Sequence, residues 1–163
     1  MEPRVLIVSP VRNEAPHIER VVRALADQEL QPTRWIVVED ASTDGTLELL
    51  RSLAPTVPFM EVMEAKASPH AGARDRLARA AAPRNFNLGL KGVDWRQYTH
   101  VMKLDGDIEL PPHYLRVLTE RFAAEPDLGL AGGVLVEPLP DGDVRRLVVT
   151  RHHVHGALKC YSR

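Results

Sequence analysis

Residues 101–109 read VMKLDGDIE. An apolar run with the pattern of a buried strand gives way to two carboxylates, Asp105 and Asp107, with a single glycine between them. Leaving such a pair buried without a counter-charge costs on the order of several kcal/mol, so the pattern calls for something positive to sit against it. On an extended strand, residues two apart face the same way, which turns both carboxylates to one edge. Gly106 removes the Cβ that keeps another group at a distance.

Outward from this stretch, strands and helices alternate. Residues 98–104 read as a fourth strand. Ahead of them, 4–9 (RVLIVS) and 35–39 (WIVVE) are short β-branched runs suited to strands buried on both faces, the first ended by Pro10. Residues 59–63 form a third. Ile18, Val21, Val22 and Leu25 fall on one helical stripe, with Asn13 as N-cap and Glu14 complementing the helix dipole. Residues 42–46 (STDGT) supply caps for a helix whose apolar face is Leu47, Leu50 and Leu53. The stretch 72–91 is helical and broken at Pro83. Pro111-Pro112 opens a helix carrying Leu115, Leu118 and Phe122. Residues 128–136 read as one further strand, where Gly129, Gly132 and Gly133 mark close backbone approach or a bulge. Residues 65–70 and 137–143 (EPLPDGD) read as loops.

This order argues for an α/β sandwich around a mainly parallel sheet. Such sheets bind ligands beyond the carboxyl ends of their strands. Ser9-Pro10, Glu39-Asp40 and Asp105-Gly106-Asp107 fall at three of those ends, which makes that edge the expected site.

Length and composition set the outer limits. A chain of 163 residues forms one domain, 1–163. Its net charge of −1 gives no electrostatic footprint for nucleic acid or an acidic membrane. Cys160 is the only cysteine, so no internal disulfide forms, which fits a reducing compartment. No apolar run approaches the ~20 residues that span a bilayer. The start, MEPRVLIVSP, has too short an apolar stretch for a signal peptide. The expectation is a soluble, cytoplasmic domain.

The sequence has no Gly-x-Gly-x-x-Gly after the first strand and no Gly-Lys-Ser/Thr loop, which argues against dinucleotide binding and a P-loop. A hard cation, Mn²⁺ or Mg²⁺, bridging carboxylates to a diphosphate is the economical alternative. The same ion stabilises a departing diphosphate. The plain alternative is a surface turn with two solvated aspartates.

Five segments, SPVRNE (9–14), VVEDASTDGT (37–46), FNLGL (86–90), KLDGDI (103–108) and HGALKCYSR (155–163), stand in the order and spacing of a known family. Over residues 5–163 the chain resembles the nucleotide-binding half of family-2 glycosyltransferases. The resemblance implies the GT-A fold, a Rossmann-like three-layer sandwich, and transfer of a sugar with inversion from a nucleoside diphosphate, typically UDP. It implies that Pro10 and Glu14 line the ribose and base pocket and that Asp40 accepts a hydrogen bond from the base. Asp107 matches the metal ligand of the family's Asp-x-Asp motif. Asp105 matches the aspartate on the sugar or ribose side and is a second candidate ligand. Asn87 matches a structural asparagine. In some GT-A enzymes a downstream histidine completes the metal shell, which makes His155 the candidate third ligand. Two positions depart from the family. Arg12 stands where many members carry an aromatic residue, replacing base stacking with a cationic contact, and Glu39 replaces a frequent aspartate.

Each of these residues also has a purely structural reading. Asp40 and Asp44 are helix-cap candidates, and Glu14 can serve only the helix dipole. Arg74, Arg76, Arg79 and Arg84 read as an exposed charged face, with diphosphate contact as the alternative. His152, His153 and His155 read as strand residues, the last two sharing a face, and Cys160 as a small core or edge residue. In the resembled family, the segment like HGALKCYSR precedes the acceptor site and an acidic catalytic base, and no Asp or Glu follows His155 here. A truncated enzyme is therefore expected, with a non-catalytic nucleotide-sugar-binding or assembly module as the alternative. An apolar surface left uncovered would favour self-association. A haloacid-dehalogenase-type phosphotransferase needs its Asp-x-Asp near the domain start, and a response-regulator receiver needs acids after the first strand. This chain has neither.

Overall fold

A computed structural model describes residues 2–65, 81–139, 141–147, 150 and 153–163. The strands are β1 (Val5–Val11), β2 (Arg34–Glu39), β3 (Met60–Glu64), β4 (His100–Leu104), β5 (Leu130–Ala131), β6 (Leu135–Pro138), β7 (Val144–Leu147) and β8 (Leu158–Ser162). The helices are α1 (Ile18–Ala26), α2 (Thr46–Leu53), α3 (Ala81–Leu90) and α4 (Tyr114–Ala124). Six strands form one sheet in the order β3-β2-β1-β4-β8-β5, while β6 and β7 form a separate hairpin. Strands β1 to β4 run parallel, and β8 runs against both of its neighbours. The expected α/β sandwich with a mainly parallel sheet is borne out.

The first strand lies in the middle, as its apolar run demands. Val5 to Val8 are at most 1% exposed. Odd-numbered residues of β1 face α1, α2 and α4 in a core that includes Ile18, Leu25, Trp35, Leu50 and Leu115. Even-numbered Leu6 and Val8 face Phe86, Leu88 and Leu90 of α3. Gly89 is what lets α3 settle onto the sheet, since a Cβ there would lie 2.5 Å from Val8 Cγ1 and 3.0 Å from Val38 Cγ2. The chain lays β1, β2 and β3 to one side, then crosses back to place β4 on the other flank of β1. The strand order therefore reverses between β1 and β4, the position where such folds bind ligands.

Several local expectations are corrected. Pro10 does not end β1, which continues to Val11. Val5 and Val11 carbonyls accept from Thr33 and Asp40 on the β2 side, so alternation turns residue 10 toward β4. Pairing with β4 stops at Val8↔Lys103, and the missing N–H of Pro10 costs no ladder bond there. Ser9 is not at the ligand edge. It is fully buried and accepts the Trp35 indole N–H at 2.9 Å. Helix α2 faces the core through Leu49, Leu50 and Leu53, whereas Leu47 lies outside that cluster.

Residues 128–136 are two strands of different sheets rather than one. A Cβ on Gly132 would lie 2.5 Å from the Leu158 carbonyl, and one on Gly133 would lie 2.9 Å from the Tyr114 ring. Backbone thus passes tightly against β8 where the chain leaves the sheet. His153 and His155 precede β8 in irregular backbone, not on a strand. Cys160 is buried in the core as expected, and burial pushes its thiol up to about 12. The first part of the expected 72–91 helix, with Arg74, Arg76 and Arg79, lies outside the described residues, as does His152. Asn87 is exposed, and the neighbouring Asn85 is the buried asparagine of α3. No described helix is long and apolar enough to cross a membrane. Val134, Val136 and Val144 are exposed along the β6–β7 hairpin.

Replacing Gly89 by alanine should lower stability by roughly 1–2 kcal/mol, because overpacking against Val8 outweighs the gain in helix propensity. A lower thermal midpoint checks this. His100, buried beside Phe122 at 5.0 Å between ring centroids, is held below its ordinary pKa of 6.5 by desolvation. Its imidazole stays neutral in the folded chain while the unfolded chain takes up a proton. Stability should therefore fall as pH drops through and below 6.5. Urea midpoints at pH 7 and pH 5 should differ more for the native chain than for His100→Leu.

Candidate functional site

Two loops leave the carboxyl ends of β1 and β2 and are stitched together by hydrogen bonds across some thirty residues of sequence. Asn13, with φ of 54°, donates its N–H to Ser42 Oγ at 2.9 Å and accepts the Thr43 N–H on Oδ1 at 2.9 Å. The Glu14 N–H donates to Thr46 Oγ1 at 2.9 Å, and the Ala15 N–H to Asp44 Oδ2 at 3.1 Å. Asn13 is thus a cross-link between loops and not the N-cap of α1, which begins at Ile18. Asp44 also accepts the Thr46 hydroxyl and N–H at the entrance to α2. The Thr46 hydroxyl, helped by the Ala15 and Thr46 amides, holds the Asp44 carboxyl below its usual range.

With Asp44 occupying the start of α2, Asp40 is left for another purpose. Its backbone N–H donates to the Val11 carbonyl at 2.9 Å. Its carboxylate is 7% exposed and lies 3.9 Å from Arg12 Nη1. A nearly buried carboxylate is thereby offset by a guanidinium that is itself 30% exposed. Glu39, whose effect the sequence left open, is buried and turns back on its own loop. Its carboxylate accepts the Ala41 and Ser42 N–H groups at 3.2 and 2.5 Å. These bonds hold Ala41 at φ of 50°, a left-handed conformation that a non-glycine residue adopts only under such support.

The acidic stretch is a turn, not the extended strand that alternation assumed. Strand β4 ends at Leu104, the Asp105 N–H donates to the Ala157 carbonyl at 2.9 Å, and the Ile108 N–H reaches back to the Asp105 carbonyl at 3.3 Å. Gly106 is buried, and a Cβ there would press on Val11 Cγ2 at 2.9 Å and Glu14 Cγ at 3.2 Å. The turn therefore sits directly on the start of the β1 loop. Asp107 is exposed and Asp105 is one-third exposed. Burial raises the Asp105 pKa and the Asp107 charge adds to that rise, while Lys103 opposes it.

Lys103 is the residue that sequence reasoning missed. Its ammonium pairs with Asp105 Oδ1 and donates to the Gly156 carbonyl at 2.9 Å. The signal was present, because Lys103 and Asp105 stand two apart at the end of one strand. The positive charge that the acidic pair calls for is partly supplied by the chain itself.

The fold thus brings Arg12, Glu14 and Asp40 to the same edge as Asp105 and Asp107. Pro10 lies just behind them within β1, opposite Val38. His155 is drawn elsewhere, with Nε2 at 3.0 Å from the Leu147 carbonyl. Among the described residues no three His, Cys, Asp or Glu side chains are grouped to hold a metal. Two carboxylates in one turn, one of them exposed, nevertheless fit a hard divalent ion that takes its remaining ligands from a phosphate and water.

The sequence profile described as glycosyl transferase family 2 matches residues 6–153. No curated protein matches the chain significantly in sequence. Among solved structures, the chain is similar to the mannosyltransferase PcManGT from Pyrobaculum calidifontis in complex with GDP-Man and Mn²⁺. That match has 23% identity and a TM-score of 0.67, over 100% of this chain and 45% of that one. It is also similar to S. aureus TarS 1-349 in complex with UDP-GlcNAc, at 19% identity and a TM-score of 0.57, over 76% and 32%. Glucosyl-3-phosphoglycerate synthase from Mycobacterium tuberculosis, in complex with Mn²⁺, UDP and glucosyl-3-phosphoglycerate, matches at 21% identity with a TM-score of 0.51, over 78% and 42%. The chain spans less than half the length of each. The sheet has the GT-A fold, and with the profile running through nearly all of its elements the chain belongs to glycosyl transferase family 2.

Proposed function

We propose that this domain binds a nucleoside diphosphate sugar, UDP-linked, through a divalent cation and presents it for transfer to an acceptor hydroxyl with inversion. The observation that carries the reading is the Asp105-Gly106-Asp107 turn packed on Val11 and Glu14 where the strand order reverses, beside the Arg12–Asp40 pair. Asp107, the exposed member, is assigned as the carboxylate ligand of Mn²⁺ or Mg²⁺. The bound ion would offset charge on the diphosphate as it leaves. Asp40, screened from water and held by Arg12, offers an acceptor for a base N–H, as uracil presents. Arg12 contributes a flat cation against the base, and Pro10 and Glu14 bound the same pocket. Asp105, engaged by Lys103, faces the ribose or sugar. His155 remains a candidate third ligand only if it leaves the Leu147 carbonyl.

Support for the donor class comes from the UDP-GlcNAc, UDP and GDP-Man held by structural neighbours, and support for the ion from Mn²⁺ in two of them. Calorimetric titration of UDP should show binding with Mn²⁺ that weakens strongly with chelator, and GDP should bind less well. Undetectable binding of both nucleotides by folded protein in Mn²⁺ would overturn the reading. Asp107→Asn should abolish most of the gain that Mn²⁺ confers. Asp40→Asn should weaken UDP by about tenfold with or without metal, the scale of one hydrogen bond to a charged group. Unchanged affinities in both variants would contradict these assignments.

A further inference from the structure

We propose that Lys103 is an internal counter-cation that occupies Asp105 and so makes divalent-ion binding depend on the donor. The inference rests on the metal-dependent donor reading above and extends it to a positioning residue. Lys103 lies on the α3 side of β4, paired in register with Val8. Its side chain is 13% exposed, so most of the stem is packed against the protein and the ammonium is held at the strand end. It has two fixed partners, the Asp105 carboxylate and the Gly156 carbonyl. The Asp105 N–H closes the same ring of contacts on the Ala157 carbonyl. The acidic turn and the segment leading into β8 are therefore held together by this cation and one backbone hydrogen bond.

Two consequences follow from charge alone. A divalent ion approaching the turn meets one exposed carboxylate, Asp107, because Asp105 is already engaged. It also meets the repulsion of the ammonium, which is strong at such short range in a partly buried setting. One carboxylate is a weak holder for a hard cation that takes about six oxygen ligands in an octahedron. The diphosphate of a donor supplies the missing oxygens and negative charge, so ion and donor enter together. Removing the Lys103 charge frees Asp105 to act as a second ligand.

The test follows loss of the free-Mn²⁺ electron paramagnetic resonance signal as protein is added, first without nucleotide and then with UDP. It compares the native chain with Lys103→Met, Lys103→Gln, Lys103→Arg and the double variant Lys103→Met/Asp105→Asn, each checked for native circular dichroism. The native chain and Lys103→Arg should bind bare Mn²⁺ weakly and gain from UDP. Lys103→Met and Lys103→Gln should bind bare Mn²⁺ at least about tenfold more tightly, and UDP should add less. Adding Asp105→Asn should return the ion to weak binding. Equal bare-ion affinity in the native chain and both neutral variants would overturn the role of Lys103, as would a gain that survives loss of the Asp105 charge. Failure of Mn²⁺ to bind any form even with UDP would instead overturn the donor reading, and this inference with it.

Discussion

The central position of β1 is the constraint on which the rest depends. Its residues are buried on both faces, and β2 and β4 pair with both of its edges. A strand that comes first in the chain yet sits in the middle of the sheet forces the later strands to be laid down on either side. The reversal of strand order between β1 and β4 leaves their carboxyl ends side by side. Arg12, Glu14, Asp105 and Asp107 occupy that gap. The site is thus a by-product of where the most apolar run had to go.

Around the gap, polar groups are mostly spent on each other. Glu39 holds its own loop, Asp44 and Thr46 serve α2 and the Glu14 and Ala15 amides, and Asn13 ties two loops together. This division matters for reading the site. A cluster of acids at strand ends looks like a single anionic pocket in the sequence, yet only some of them are left to meet a ligand. Asp40 and Asp107 are set apart because Glu39 and Asp44 already serve backbone amides and Asp105 pairs with Lys103. Family membership and fold say what kind of domain this is, and the division of labour says which side chains are available for its chemistry.

Much of the fold was legible because it depends on local pattern. The β-branched run at Val5–Val8 and the stripe Ile18, Val21, Val22 and Leu25 were read correctly, since burial on two faces or one leaves a periodic mark. The gathering of Asp40 and Asp105 at one edge followed from strand order. What escaped depends on distant partners. Asn13 looks like a cap until Ser42 and Thr43, about thirty residues on, are placed beside it. The stretch 128–136 looks like one strand until Leu158 and Tyr114 crowd Gly132 and Gly133. Lys103 was hidden for a different reason. Its partner is near in sequence, but alternation along an ideal strand directs attention to Asp107 and away from a turn that begins one residue after Leu104.

Pro10 gives the open gap a chemical guarantee. Continuing the register of Val8 with Lys103 sets Pro10 level with Asp105, and a pyrrolidine nitrogen has no hydrogen to offer there. The zipper between the first and fourth strands cannot be drawn one step further, however well the following residues suit an extended shape. The acids beyond Leu104 are thereby kept out of the fabric of the sheet and left to a bend that holds Asp105 against Lys103 and leaves Asp107 exposed to a guest.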